Sequence, residues 1–309
     1  MGTLATVILP VFLVVGVGYF ARWRRIIGDE GIDGLMYFAQ NFAIPMLLFR
    51  AISTLDLGQH FNWPLLLAFY SGAVAGFGVG LAAGRVLFRR SWSEAIAIGF
   101  VGMFSNSVLL GLPITELAYG SAALTTNYAI IAIHSPFCYT VGIVAMELAR
   151  ADGTPARALP AKMVKAVFSN TLVIGITLGF VVNLGQIPLP GVLTDAIDLI
   201  VRAGIPVALF GLGGVLFHYR PAGDMRAILF ICAVSLVMHP AITWGLGQAL
   251  GLSTEALRSA VVTGAMAPGV NAYLFANMYG VAKRVTASAV LIGTGLTIVT
   301  ATFWLSILP

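Results

Sequence analysis

Long runs of apolar residues, separated by short polar connections, follow one another along the whole chain. Each of ten runs holds about 20 mostly apolar residues, the length that a helix needs to cross a bilayer. They lie at 3–21, 32–52, 64–88, 94–117, 121–148, 166–186, 191–217, 226–250, 255–279 and 285–307. Apolar positions are continuous in these runs rather than alternating, which argues against a transmembrane β-barrel. The pattern predicts an all-α polytopic membrane protein with ten membrane-spanning helices.

Composition supports a membrane protein and excludes several other classes. Of 309 residues, 59% are hydrophobic and 9% are charged, whereas soluble domains are about 25% charged. A soluble enzyme and a disordered chain are therefore excluded. The two cysteines, Cys138 and Cys232, lack the spacing of a metal site. Neither a hydrolase motif nor a cofactor-binding loop is present, so we predict a protein that is not an enzyme and has neither a cofactor nor a metal.

The basic residues predict the orientation of the chain. Fourteen of the 17 lysines and arginines follow the first, third, fifth, seventh and ninth apolar runs. The positive-inside rule places these connections in the cytoplasm and both termini outside. The same placement explains the net charge of +5 without a nucleic-acid partner, because the bases form no single face.

Two sequence matches at a nearly constant spacing indicate an internal repeat. The tract at 43–49 resembles the tract at 204–210, 161 residues later, and Tyr-Gly pairs at 119–120 and 279–280 are 160 apart. A repeat of five spans, an odd number, inserts its second copy upside down. We therefore predict a first repeat at 1–148, a short basic cytoplasmic linker at 149–165 and an inverted repeat at 166–309. Chance is the alternative, because Ile-Pro and Leu-Phe are common in apolar helices.

Two of the runs contain residues that interrupt helices. The run at 94–117 holds a Ser-Asn-Ser sequence, and the run at 255–279 holds Pro-Gly-Val-Asn. At an offset of 162 residues, Asn106 falls opposite Pro268. Backbone groups freed by such breaks must line a cavity or contact protein in the membrane, and paired breaks indicate a transport site. The candidate substrate-binding residues are Ser105, Asn106, Ser107, Pro268, Gly269 and Asn271.

The breaks favour a negatively charged substrate. A half-helix that starts after a break presents unpaired amides and a partial positive charge of about half an elementary charge. Two such ends from inverted halves would face each other, with Asn106 and Asn271 adding donors. The alternative is a pair of proline-kinked packing helices. Structural helix breaks are also predicted at Pro45, Pro113 and Pro206.

A few polar residues lie deep within the apolar runs. Arg202 could hold a carboxylate, or it could form a salt bridge with Asp198, four residues earlier on the same helix. His134 and His239 lie near the centres of their runs, where each could couple proton movement or donate to a carbonyl freed by a nearby proline. Gln40, Asn41 and Asn127 are candidates for lining a cavity or joining helices.

Three tracts, at 42–49, 106–113 and 268–276, resemble the auxin efflux carrier family, and the resemblance covers essentially the whole chain. It implies ten spans in two inverted five-helix repeats, similar to the bile-acid sodium symporter fold. It also implies an elevator in which spans 3–5 and 8–10 move against spans 1, 2, 6 and 7, with substrate at the crossing of broken spans 4 and 9. Asn106 matches the family asparagine and Pro268 the family proline, whereas Ser105 stands where many members have proline. The short linker is typical of bacterial members, which implies the inner membrane.

Together these observations predict a secondary transporter that moves a small organic anion, a carboxylate such as malonate, malate or auxin, by alternating access. Coupling to H⁺ or Na⁺ stays open, as does pairing with a second copy of the chain in a homodimer. The alternatives are a channel-like or uniport facilitator and a non-transport membrane receptor.

Overall fold

A computed structural model of the chain describes residues 4–60, 62–150 and 171–309, together with Gly2 and Val164. Across these residues the chain is helical and forms no strand, which confirms the predicted all-α class. The helices are α1 Leu4–Trp23, α2 Asp29–Ser53, α3 Trp63–Leu87, α4 Trp92–Met103, α5 Ser107–Tyr119, α6 Ser121–Arg150, α7 Thr171–Leu184, α8 Gly191–His218, α9 Met225–Ala249, α10 Thr254–Gly264, α11 Val270–Tyr279 and α12 Lys283–Ile307. A single turn, Leu57–His60, precedes α3. Most of the predicted linker at 149–165 lies outside the described residues.

Membrane-length helices account for most of the fold. Seven of those described, α1, α2, α3, α6, α8, α9 and α12, are long and apolar enough to cross a bilayer. The apolar helices α4, α5 and α7 are shorter in the described part of the chain. Large apolar side chains on the outer surface, such as Leu199 at 68% exposure, are compatible with a surrounding of lipid rather than water. The fold is therefore that of a polytopic membrane protein.

Both predicted interruptions are present. Helix α4 ends at Met103 and α5 begins at Ser107, while α10 ends at Gly264 and α11 begins at Val270. The two gaps cross, because Ser105 and Pro268 form an isolated antiparallel bridge. In this bridge Ser105 lies opposite Pro268. Backbone groups in each interruption therefore form hydrogen bonds with backbone groups in the other.

Several helices widen just before a proline. Because proline has no N–H and its ring clashes with the carbonyl four residues back, the preceding turn adopts wider, π-type hydrogen bonding. Such turns are Leu4–Ile8 before Pro10, Ala39–Ala43 before Pro45, Ser107–Gly111 before Pro113 and Val234–Met238 before Pro240. Pro45 and Pro113 therefore distort α2 and α5 without ending them, and Pro206 lies inside the continuous helix α8.

Two glycine contacts bring helices together at backbone distance. A Cβ atom added to Gly18 of α1 would lie 1.9 Å from the carbonyl oxygen of Phe210 in α8. One added to Gly179 of α7 would lie 3.0 Å from the carbonyl oxygen of Phe49 in α2. Only glycine permits the first approach, since a real Cβ cannot come that close to an oxygen. Helix α1 therefore packs on α8, and α7 packs on α2.

Aromatic packing holds the interrupted helices in place. The rings of Phe100 in α4 and Phe275 in α11 are stacked, with centroids 4.1 Å apart and planes 6° apart. Both side chains are fully buried, and an aromatic pair of this kind adds about 0.5–1.5 kcal/mol beyond the apolar area that it buries. The contact fixes α11 against α4 close to the crossing.

Candidate functional site

A cavity of about 280 Å³ lies where the two interruptions meet α2, α6 and α7. Of the residues that the sequence predicts for the site, Ser105, Asn106, Ser107, Gly269, Asn271 and His134 line it. Gln40 and Asn41, from the widened turn of α2, line it as well. The crossing thus brings residues from distant parts of the chain to a single cavity.

The crossing itself is held by two backbone hydrogen bonds. The N–H of Asn106 donates to the carbonyl of Ala267 at 2.7 Å, and the N–H of Gly269 donates to the carbonyl of Phe104 at 2.9 Å. Unpaired backbone groups are expensive away from water, so these bonds allow two helices to be broken at one place. They also fix the positions of the helix ends that border the cavity.

Asn106 presents a free donor at the cavity. Its side-chain oxygen accepts from the backbone N–H of Leu109 at 3.3 Å and so caps α5. Its Nδ2 is buried and has no hydrogen-bond partner among the described residues. The cap therefore uses the acceptor end of the amide, and the two N–H groups of the other end remain available to a bound molecule.

The first turn of α11 supplies further donors. Within the described residues, the N–H groups of Val270 and Asn271 have no backbone acceptor, and Gly269 provides no side-chain cap. The Tyr139 hydroxyl donates to Oδ1 of Asn271 at 3.2 Å, which leaves Nδ2 of Asn271 as a donor. A helix N-terminus with unpaired amides carries a partial positive charge and favours an anion.

The remaining lining is uncharged. No Asp, Glu, Lys or Arg borders this cavity in the described part of the chain, and part of the lining is apolar, including Ile44, Leu109, Leu274 and Met278. His134 is the histidine in the lining. Its ring centroid lies 4.8 Å from that of Phe104, at the first interruption, and its Nδ1 lies 3.8 Å from Sγ of Cys138. The arrangement can hold a molecule with a hydrogen-bond-accepting end and an apolar body.

The part of the chain that the structure describes contains no cluster of three His, Cys, Asp or Glu side chains that could hold a metal ion. The polar side chains that line the cavity in this part of the chain are Gln40, Asn41, Ser105, Asn106, Ser107, His134, Ser135, Tyr139, Thr171 and Asn271.

Two candidate residues from the sequence, His239 for proton coupling and Pro268 for substrate binding, make other contacts. The ring nitrogen Nε2 of His239 lies 3.3 Å from the carbonyl oxygen of Phe69, so this histidine joins α9 to α3. A Cβ added to Gly293 of α12 would lie 2.8 Å from Cδ of Pro268; the proline ring therefore packs on α12. Neither His239 nor Pro268 lines the cavity.

The prediction of a salt bridge within one helix between Asp198 and Arg202 is wrong. Asp198 instead accepts from Nε of Arg50 in α2 at 3.2 Å, and Arg202 is exposed on α8. Asp198 faces the neighbouring helix, where a guanidinium 148 residues away in sequence reaches it. None of these three residues lines the cavity.

Asn127 joins helices rather than lining the cavity. Its Nδ2 donates to Thr115 at 3.2 Å and to Thr263 at 2.8 Å, which ties α6 to α5 and α10. The sequence interpretation missed three polar lining residues, Ser135, Tyr139 and Thr171. Tyr139 follows Ser135 by four residues and so lies on the same side of α6, but the sequence does not indicate that this side borders the cavity.

Comparisons with known proteins identify the family. A family model described as membrane transport protein matches residues 3–305. A protein of Rhizobium meliloti (strain 1021) named "Putative malonate transporter" is 24% identical over 305 residues, covering 98% of this chain and 95% of its own length. An "Uncharacterized transporter" of Methanothermobacter thermautotrophicus is 22% identical and covers 98% of both chains. Auxin efflux carrier component 5 of Arabidopsis thaliana is 21% identical, covering 92% of this chain and 91% of its own length.

Membrane-length helices around a cavity at two crossed interruptions define an integral membrane protein of the transporter class. The chain belongs to the auxin efflux carrier family of membrane transport proteins. This confirms the resemblance found in the tracts at 42–49, 106–113 and 268–276.

Proposed function

We propose that this protein is a secondary transporter that moves a small organic carboxylate by alternating access and binds it at the crossing of the two interruptions. The observation that carries the proposal is the donor-rich, uncharged cavity: Nδ2 of Asn106 is unpartnered, and the first amides of α11 are free. A carboxylate accepts several hydrogen bonds at once, and such bonds are stronger when the acceptor is ionised.

The lining favours an organic anion over an inorganic cation. A cation would need carboxylates or converging carbonyls, and the described lining contains no acidic side chain. The apolar side of the cavity suits the carbon skeleton of an organic acid. Malonate in the name of the Rhizobium relative and auxin in that of the plant relatives point to carboxylates as well.

We propose ten spans in two inverted repeats, at 1–148 and 166–309, joined by the cytoplasmic linker at 149–165. Two contacts support the inverted relation: Gly18 approaches Phe210, and Gly179 approaches Phe49. Each residue of the second pair is related to one of the first by an offset of 161 positions, as in the repeated tracts. The paired hydrogen bonds at the crossing have the same reciprocal form. Both termini then lie outside the cell, and the positive-inside rule supports this orientation in the bacterial inner membrane.

Alternating access would be of the elevator type, with α3–α6 and α9–α12 moving against α1, α2, α7 and α8. The position of the cavity supports this division. Its lining includes Asn41 of α2 and Thr171 of α7 from one group, and Asn106 and Asn271 from the other. A substrate held mainly by the second group would be carried along the surface of the first.

The membrane potential determines which direction of transport needs a coupling ion. It favours outward movement of an anion by about 2.3 kcal/mol per charge per 100 mV. Efflux therefore needs no coupling ion, whereas uptake needs co-transported H⁺ or Na⁺. His134 is the candidate proton carrier, because it lines the cavity.

Transport by the purified protein in proteoliposomes tests this function. We expect saturable flux of malonate or another small carboxylate, accelerated by the same solute on the opposite side, and little flux of the corresponding diamide. Counterflow distinguishes a carrier from a channel-like facilitator. Equal transport of carboxylate and diamide, or flux that does not saturate, would contradict the proposal, and solute binding without flux would indicate a receptor.

A further inference from the structure

A second cavity, of about 350 Å³, lies at one end of α3 and α9, and its lining shares no residue with the cavity at the crossing. It is lined by Leu87, Phe88, Arg89, Asp224, Arg226 and Phe230. The side chains are of two kinds: charged groups from the connection before α4 and from the start of α9, and apolar groups from the end of α3 and the first turns of α9. We propose that this cavity binds the phosphodiester of an anionic membrane phospholipid, with the acyl chain against Leu87 and Phe230.

Two guanidinium groups at the cavity are left without a counter-charge. Asp224, the acid in the lining, accepts from Nη2 of Arg90 at 3.3 Å through one oxygen. Its other oxygen caps α9 by accepting from the N–H groups of Arg226 and Ala227, at 3.1 and 3.4 Å. The side chains of Arg89 and Arg226 are exposed and form no ion pair with any described residue. The cavity therefore has an excess of positive charge and complements a phosphate, whose oxygens arginine can bind in pairs.

The apolar part of the cavity faces outward. Leu87 is 62% exposed and Val86 is 81% exposed. Both lie at the end of the membrane-length helix α3, where lipid can contact them. The rings of Phe88 and Phe230 meet edge to face, with centroids 5.8 Å apart, and form the wall between α3 and α9. Exposed apolar side chains beside unpaired arginines match the two parts of a phospholipid.

A neighbouring aromatic side chain places this region at the level of lipid headgroups. Trp92, at the start of α4, is 53% exposed, and the guanidinium carbon of Arg85 lies 4.6 Å from its ring centroid. Tryptophan is enriched where a membrane protein passes from hydrocarbon to headgroups. Basic pockets between helices on the cytoplasmic side bind anionic headgroups, and most bases of this chain are predicted on that side. An unattached phosphate would use the arginines but not the apolar wall, so the combination favours a lipid.

Native mass spectrometry of the purified, delipidated protein tests the proposal with defined lipids. With phosphatidylglycerol we expect bound lipid at several-fold higher occupancy than with phosphatidylcholine of the same chains. The Arg89→Gln/Arg226→Gln double variant should lose that preference and bind the two lipids to a similar extent, because charge-assisted hydrogen bonds to the phosphate are removed. The matched control is Arg24→Gln/Arg25→Gln, which removes the same charge from exposed arginines after α1 and should keep the preference.

Three results would overturn the assignment. They are equal binding of the two lipids by the wild type, unchanged phosphatidylglycerol binding by the Arg89→Gln/Arg226→Gln variant, and complete displacement of the lipid by millimolar inorganic phosphate. The last would identify free phosphate as the ligand. An Arg89→Lys/Arg226→Lys variant keeps the charge and should retain most of the lipid, which separates a charged site from a loss of folding.

Discussion

The backbone N–H of Asn106 lies 2.7 Å from the carbonyl oxygen of Ala267, 161 residues further along the chain. This hydrogen bond and its counterpart between Gly269 and Phe104 satisfy backbone groups that two broken helices would otherwise leave unpaired in the membrane. The side chain of Asn106 is then free to cap α5 with its oxygen and to direct its amide nitrogen toward a ligand. The same residue thus joins the two interruptions and supplies a donor at the cavity.

Replacing Tyr139 with phenylalanine should weaken substrate binding without unfolding the protein. The Tyr139 hydroxyl holds Oδ1 of Asn271, and without it the Asn271 amide can turn its oxygen toward the substrate carboxylate. A hydrogen bond of this kind contributes about 0.5–1.5 kcal/mol, so affinity should fall by about 3- to 10-fold. The affinity is measured on purified protein. Tyr273→Phe is the control, because Tyr273 packs on Tyr219 away from the cavity; equal loss in both variants would argue against positioning by Tyr139.

His134 and His239 should respond differently to replacement by glutamine. His134 lines the cavity, whereas His239 lies against the carbonyl of Phe69 between helices. If His134 carries a coupled proton, His134→Gln removes the stimulation of uptake by an inwardly directed proton gradient. Counterflow exchange should stay active. His239→Gln should retain that stimulation and lower the melting temperature. If only His239→Gln lost the stimulation by the gradient, coupling would belong to His239, and the role proposed for His134 would be contradicted.

Adding a methyl group at Gly18 should strongly destabilise the fold. The new Cβ would lie 1.9 Å from the carbonyl oxygen of Phe210, so α1 and α8 must separate. Overpacking of this kind destabilises by about 1–3 kcal/mol or more. Gly16 lies two residues before Gly18, on the other side of α1. A Cβ added there meets nothing within 4 Å, so Gly16→Ala should be neutral or slightly stabilising. Thermal unfolding in detergent compares the two variants, and similar melting temperatures would rule out the close contact.

Arg50 and Asp198 should be energetically coupled, while Asp198 and Arg202 should not. The first pair lies 3.2 Å apart with about a third of each side chain exposed, so its coupling should be about 1 kcal/mol or less. A double-mutant cycle with Arg50→Gln and Asp198→Asn measures the coupling from unfolding free energies. The parallel cycle with Arg202→Gln should be additive. Coupling found only between Asp198 and Arg202 would instead support a salt bridge within α8.

Local sequence was sufficient for most of the helices. Proline and glycine act on the backbone wherever the chain places them, so the break around Pro268 was predictable from the residues themselves. The break at 104–106 contains neither residue and was inferred from the Ser-Asn-Ser sequence. The long apolar runs were predictable for a different reason: hydrocarbon tolerates few polar residues. A correspondence along the sequence does not give the contact in space: at an offset of 162 Asn106 corresponds to Pro268, whereas the bridge pairs Pro268 with Ser105.

Contacts between distant helices were not predictable. Asp198 satisfies the four-residue rule for a pair with Arg202, yet it bonds to Arg50 of another helix. Tyr139 and Thr171 line the cavity because of how α6 and α7 are rotated against the crossing, and no motif records that rotation. Likewise, His239 and His134 look alike in sequence, each close to a proline, but only His134 borders the cavity.

Asn106 provides the most direct test of the central claim, that a carboxylate binds at the crossing. Asn106→Ser keeps an oxygen that can cap α5, so the helix should remain folded. Its hydroxyl can also donate, but it lies one bond closer to the backbone than the amide nitrogen and should not reach the anion as Nδ2 does. Equilibrium binding of the transported carboxylate should weaken by about 10- to 100-fold, as expected for a charge-assisted hydrogen bond of about 1.5–3 kcal/mol. Asn277→Ala, two turns further along the helix from Asn271 and exposed, should bind like the wild type. Unchanged affinity in a folded Asn106→Ser protein would contradict the account.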